Sequence, residues 1–267
     1  MTDRTHIDKY WDEQALKCGA DFHASWADRF LIETEIQLVE RYIKNDIRVL
    51  DVGCGNGFST VLHSCNRLTE MVGVDYSSEM INVAKNRHTQ HNINFQQGDV
   101  RCLDFEDSRF DLVYTTRTLI NLATWQEQVC AINECLRVCR PGGTVLFLEA
   151  FWEPLVTLNA MRLLFGLQPL VEHDFNRYLK KSKVESLFNT TGQSFQNEDY
   201  SCIYYVGTRL LRELLVDKEK YISYNNSFNA LFADIEKQFS ATGCGVQQAY
   251  IVKKNDANDH KIPIRII

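Results

Sequence analysis

The chain has 267 residues, 45% hydrophobic and 24% charged, a composition that fits an ordinary globular protein and excludes a disordered or fibrous one. Its 29 basic and 35 acidic residues give a net charge of −6, which argues against a nucleic-acid binder with a basic face. No apolar run approaches the roughly 18–20 residues of a membrane span, and the charged start M-T-D-R-T-H-I-D-K-Y-W-D-E lacks the apolar stretch of a secretory signal. The nine cysteines form no C-x-x-C pair, so neither a zinc site nor a disulfide framework is indicated, and a cytoplasmic protein with reduced thiols is expected. Cys135 and Cys139, four apart, read as buried small hydrophobes and not as metal ligands.

The first stretch, to about residue 45, reads as helical, with Ile32, Ile36, Val39 and Ile43 at helical spacing. A regular alternation follows. Val49–Val52 is a short apolar strand, Gly53–Gly57 a turn, and Phe58, Val61, Leu62 and Cys65 mark one face of a helix. Met71–Val74 is a second strand ending at Asp75. Ser77 or Ser78 caps a helix that runs to about Gln90. Ile93–Gly98 is a third strand ending at Asp99, and Phe110–Tyr114 a fourth. Trp125, Val129, Ile132 and Leu136 line a helix that stops at Arg140-Pro141-Gly142-Gly143. Thr144–Leu148 is the fifth strand. Beyond it, Leu155–Phe165, Lys183–Thr191, Leu210–Val216 and Phe228–Phe239 read as helices, and Ser201–Val206 and Gln248–Val252 as strands.

Strands alternating with helices imply a doubly wound parallel sheet. Ligands of such sheets bind outside the carboxyl ends of the strands. Asp51, Asp75, Asp99 and Glu149 stand at four such ends. In Asp51-Val52-Gly53-Cys54-Gly55-Asn56-Gly57 the glycines allow a tight turn and close backbone approach to a nucleotide-like ligand. Dinucleotide sites share that feature, but they cradle a pyrophosphate on the helix start. An acidic Asp51 would repel a pyrophosphate and suits a ligand with a cationic end. Asp75, 20 residues past Gly55, is placed to take two ribose hydroxyls. Asp99 is placed to accept from an adenine amine, with Val100 beside the ring.

These stretches, V-L-D-V-G-C-G-N-G, V-G-V-D-Y-S-S-E-M, F-Q-Q-G-D-V, F-D-L-V-Y-T-T-R-T-L-I-N-L and L-R-V-C-R-P-G-G-T-V-L-F-L-E, cover about Ile47–Glu149 in order. Together they resemble the class I S-adenosylmethionine (SAM)-dependent methyltransferases, in their small-molecule branch. The resemblance implies a Rossmann-like seven-stranded α/β sheet with an antiparallel last strand, and Ser201–Val206 and Gln248–Val252 are the candidates for its final pair. It implies SAM as cofactor, with Asp51, Gly53, Cys54 and Gly55 at the methionine end, Asp75 at the ribose and Asp99 with Val100 at the adenine. Tyr76 and Met80 would flank the adenosine, and Thr116 would face the methyl donor. H-I-D-K-Y-W-D-E resembles the segment that closes over SAM in this branch, which makes Tyr10 and Trp11 candidate covers of the sulfonium.

Residues 1–45 then form a helical lid, 46–150 the SAM-binding core, 151–180 a substrate lid, 181–254 the rest of the core with a helical insertion at about 207–243, and 255–267 a tail. The acceptor is expected to be a small molecule, anionic or sugar-like, methylated on oxygen in preference to nitrogen. More distantly, the R-T-L-I-N-L and H-D-F-N-R-Y-L stretches resemble methyltransferases of surface-polysaccharide and phosphonate or phosphoramidate pathways. His173 is the candidate general base, because imidazole titrates near neutrality. Glu149 would orient the acceptor. Arg117, Arg162, Asn176, Arg177 and Tyr178 are candidates to hold it, the arginines by bidentate pairing. A monomer or homodimer is expected. RNA or protein methylation, a dehydrogenase and a non-catalytic SAM-binding protein are the alternatives.

Overall fold

The computed structural model describes residues 4–65, 69–87, 92–216 and 223–255. The expected helix end near Gln90 and all but the first residue of the 255–267 tail lie outside these. The N-terminal stretch forms two helices, α1 (Arg4–Cys18) and α2 (Arg29–Glu40). Asp28 starts α2 by accepting from the Leu31 N–H, which satisfies one of the free donors of a helix start. The alternating part follows as β1 (Arg48–Val52), α3 (Phe58–Ser64), β2 (Glu70–Asp75), α4 (Ser78–Arg87), β3 (Ile93–Gln97), β4 (Phe110–Thr116), α5 (Trp125–Val138) and β5 (Cys139–Ala150). Thr124 and Glu127 close a reciprocal capping box at the start of α5. Then come α6 (Trp152–Leu164), α7 (Lys181–Thr190), β6 (Ser194–Glu198), α8 (Cys202–Val206), a π-helical turn at Gly207–Leu211, α9 (Arg212–Leu215), α10 (Ser227–Gln238) and β7 (Gln247–Lys253).

Seven strands lie in the order β3-β2-β1-β4-β5-β7-β6. β1 to β5 pair in parallel, and β7 runs antiparallel to both neighbours. Successive strand side chains point to opposite faces, and the core divides accordingly. Val49, Met71, Leu112, Tyr114, Leu146 and Leu148 pack with Leu38 and Val39 of α2 on one face. Leu50, Val72, Val113, Val145 and Phe147 pack with α5 and α7 on the other. α2 is therefore a core helix, and α1 alone of the first two helices lies over the strand ends.

Two expectations are corrected. Ser201–Val206 is not a strand: Cys202–Val206 is helical, and the partner of β7 is the polar stretch Ser194–Glu198. A short run such as C-I-Y-Y-V suits a buried helix turn as well as a strand, and here Cys202, Tyr204 and Tyr205 are buried. The fifth strand starts at Cys139, where the helix stops. Cys139 pairs with Phe110, and a register shift around Gly142-Gly143 restores pairing at Thr144 with Leu112, as expected of a bulge.

Candidate active site

The glycine loop leaves β1 through Gly53, Gly55 and Gly57, all at positive φ. The Gly53 and Cys54 N–H groups donate to the Val74 carbonyl at 2.7 and 3.0 Å, which ties the loop to the end of β2. A side chain at Gly53 would collide with Thr118, whereas nothing lies within 4 Å of where a Cβ of Gly55 would project. The backbone at Gly55 is thus open to a ligand. Asp75 bridges the loop to its own strand end, accepting from Gly55 N–H at 2.8 Å and Ser77 N–H at 2.9 Å. Burial raises its carboxyl, against the pull of these N–H groups. Asp51 accepts from Thr60 Oγ at 2.6 Å. Burial pushes it up to about 6, against hydrogen bonds from Thr60 and Tyr114.

A cavity of about 710 Å³ opens over these strand ends, within the range of small-molecule sites. It is lined by Tyr10, Trp11, Asp51, Gly53, Cys54, Gly55, Asp75, Tyr76, Met80, Asp99, Val100 and Thr116, so every residue expected to meet the cofactor faces one space. Asp99 holds Arg101 in a bidentate pair. α1 is docked over the loop by Asn56, whose amide donates to the carbonyls of Gly19 and Asp21 at 2.8 Å each. Tyr10 also meets the segment that follows α6, with ring centroids 4.8 Å from Phe175 and 5.8 Å from His173.

Of the residues expected at the acceptor, His173, Arg117, Asn176 and Tyr178 line the same cavity. Arg117 stands at φ +53, a strained backbone for a non-glycine residue. Its Nε donates to both oxygens of buried Glu35, at 3.2 and 3.1 Å, and its guanidinium lies 5.1 Å over Trp26. Three other candidates do not line the cavity. Glu149 is fully buried beneath it, accepting from Thr115 Oγ at 2.7 Å and from the N–H groups of Thr118, Leu119 and Ile120. It therefore shapes the loop after β4 and does not orient an acceptor directly. Burial pushes it up to about 7. Arg162 is buried against Glu213, with Nε on the Gln168 carbonyl and Nη1 on the Arg209 carbonyl. Arg177 turns its guanidinium back onto the carbonyls of Asp174 and Asn176. The buried Arg162 guanidinium needs its donors matched, and the protein supplies the partners there and at half-buried Arg177.

Sequence reasoning missed Trp26, Asn121, Tyr205, Arg209, Tyr224 and Gln247, which also line the cavity. Arg209 pairs with Asp28 at 2.6 Å across 181 residues of chain, so no local pattern marks it.

Residues 49–143 match the family model of a methyltransferase domain. By that match this stretch is similar to methyltransferase domains. Ubiquinone biosynthesis O-methyltransferase of Coxiella burnetii is 32% identical over 155 residues, 54% of this chain and 64% of that protein. The chain thus spans a little under two thirds of that relative's length. Demethylmenaquinone methyltransferase of Staphylococcus aureus is 28% identical over 197 residues, 70% of this chain and 77% of that protein. A SAM-dependent methyltransferase of Thermotoga maritima shares the fold at 15% identity, with a TM-score of 0.57 over 94% of this chain and all of that one. So does Haemonchus contortus phosphoethanolamine N-methyltransferase 2, solved with S-adenosylhomocysteine, at 17% identity and a TM-score of 0.53, covering 84% of this chain and 53% of that one. Residues 49–143 supply Asp51, Gly53, Gly55, Asp75, Asp99 and Thr116 to the cavity wall. Tyr178, Tyr205, Arg209, Tyr224 and Gln247 come from beyond that stretch. No helix among the described residues is long and apolar enough to cross a membrane.

Proposed function

We propose that the protein transfers the methyl group of SAM to an oxygen of a small molecule held inside the cavity. One observation carries this reading: Asp51, Asp75 and Asp99, from three successive strand ends, and the open backbone at Gly55 all face one cavity. Asp51 would hold the ammonium of the methionine end, Asp75 the ribose diol, and Asp99 with Val100 the adenine. Tyr10 and Trp11 would cover the sulfonium. SAM supplies an electrophilic methyl group, and the protein's task is to align the acceptor with it and keep water out. The α1 roof and the 166–178 segment suit that task. The O-methyltransferase name of the Coxiella relative supports oxygen as the acceptor atom. Trp26, Tyr178, Tyr205 and Tyr224 wall the acceptor end, which suits a planar ring such as a phenol or quinol. His173 would take the hydroxyl proton, and Arg117, Asn176 and Tyr178 would hold the acceptor in place.

Calorimetric titration of S-adenosylhomocysteine tests the cofactor reading. Binding is expected, with Asp75→Asn weaker by about 10- to 100-fold, because an amide cannot accept from both ribose hydroxyls. Absence of heat with the wild-type protein would overturn the proposal.

A further inference from the structure

The acceptor end contains two guanidinium groups arranged in the same manner. Arg209 lies in the π-helical turn Gly207–Leu211, a distortion that often marks a functional position. Its Nη2 donates to Asp28 at 2.6 Å and its Nη1 to Thr208 Oγ at 2.9 Å. The guanidinium carbon lies 4.4 Å from the Tyr224 ring centroid and 5.3 Å from that of Tyr205. A guanidinium has five N–H donors, and the remainder have no partner among the described residues, although Arg209 is 94% buried (6% exposed). Arg117 repeats the arrangement, with Nε on Glu35 and the ring of Trp26 below. The two backing carboxylates are seven residues apart, Asp28 capping α2 and Glu35 within it. Two helical turns place them on one face, about 10 Å apart.

The fold spends several contacts on keeping Arg209 in place. Arg162, clamped by Glu213 at 3.0 Å, donates to the Arg209 carbonyl. Tyr204 OH holds the second oxygen of Asp28 at 2.7 Å. Arg209 and Arg117 both line the cavity, so their N–H groups that lack a protein partner are available to a ligand there. Two other residues that line the cavity carry a buried acceptor with no donor among the described residues, Asn121 Oδ1 and Gln247 Oε1.

We infer that Arg209 and Arg117 form an oxyanion subsite, and that the acceptor is a hydroxylated acid whose hydroxyls donate to Asn121 or Gln247. This rests on reading the cavity as the methyl-transfer site. Each arginine is already neutralised by its own carboxylate, so the subsite selects by directed hydrogen bonds and not by net charge. It therefore suits one compact oxyanion, a carboxylate or a phosphate ester, and not a polyanion. Forked N–H pairs match either group.

The test uses the full chain saturated with S-adenosylhomocysteine, whose binding is measured first. The probes are para-hydroxybenzoate, its methyl ester and para-hydroxyphenyl phosphate. At least one anion should bind about tenfold or more tightly than the ester, and the tighter of the two identifies the oxyanion. Arg209→Lys should remove most of that preference and leave S-adenosylhomocysteine affinity unchanged. Tyr224→Ala, which leaves the Asp28 pair intact, should weaken the anion several-fold and guards against a folding defect in the lysine variant. Equal binding of acid and ester, or a preference that survives both substitutions, would overturn the inference. If S-adenosylhomocysteine fails to bind, the methyltransferase reading itself falls.

Discussion

His173 and Glu149 both sit near the chemistry, and they differ in what they touch. His173 is exposed at the cavity wall, against Phe175 and Tyr10. As the proposed base, it would take a proton from the acceptor hydroxyl and nothing from the cofactor. His173→Ala should lower turnover about 10²- to 10⁴-fold while S-adenosylhomocysteine affinity stays within about twofold; wild-type turnover in the variant ends the assignment. Glu149 touches only protein, and its signature is in stability. Burial raises its carboxyl from 4.5 to about 7. Between those values the folded chain keeps a proton that the unfolded chain has released, so stability falls as pH rises through that window and stays low above it. The full effect of such a shift is about 3 kcal/mol. Glu149→Gln keeps an acceptor for Thr115, Thr118 and Leu119 and cannot ionise. Thermal melts should show the variant near the wild type at pH 5 and more stable than it at pH 8. Parallel curves would mean that Glu149 does not titrate in this range.

At the scale of elements, the acceptor wall depends on how the α8–α9 helix seats against α10. Gly207 opens the π-helical turn, and a Cβ there would meet the Phe232 ring well inside contact distance. Gly207→Ala should therefore cost about 1–3 kcal/mol through overpacking and shift Arg209, with Phe232→Leu in the same chain recovering part of the melting temperature. No change in either variant would remove the Phe232 contact from the account of that turn. Such contacts also mark the limit of what the sequence could show. β1, β2, β4 and β5 were legible because each couples an apolar run to a helix of clear period, and β3, with no helix after it, because it ends at Gly98-Asp99. β6 was not. Its S-F-Q-N-E stretch has one strand neighbour and mostly solvent elsewhere, so it carries the polar pattern of an edge strand. The apolar C-I-Y-Y-V that drew the strand assignment is apolar because it is buried under the acceptor wall. Arg162 and Arg209 were exchanged for the same reason. Nothing near either residue tells which guanidinium faces the cavity, since that is settled by Glu213 for one and Asp28 for the other.

Across the whole molecule, the cavity is closed by two segments far apart in sequence that touch each other. α1 is anchored below by Asn56, and by Ser77, whose hydroxyl donates to Asp12. Above, Tyr10 and Trp11 meet Phe175, with ring centroids 4.8 and 6.2 Å apart. The 166–178 segment is anchored by Asn159, which exchanges two hydrogen bonds with Leu170, and by Glu172, which accepts from the Tyr178 N–H. Neither roof is part of the sheet, so local opening of either costs less than global unfolding. Because Tyr10, Trp11 and Phe175 all face the cavity and pack together, a cofactor that rests on Tyr10 and Trp11 also steadies Phe175. Hydrogen exchange should then slow together in 4–18 and 166–178 when S-adenosylhomocysteine is added, while β4 and β5, already buried, stay unchanged. Tyr10→Ala should keep the protection of the α1 backbone near Asn56 but uncouple the 166–178 segment, because the aromatic bridge is gone. Protection confined to α1 in the wild-type protein would mean that the two roofs move independently, and entry of the acceptor would then not require the cofactor lid to open.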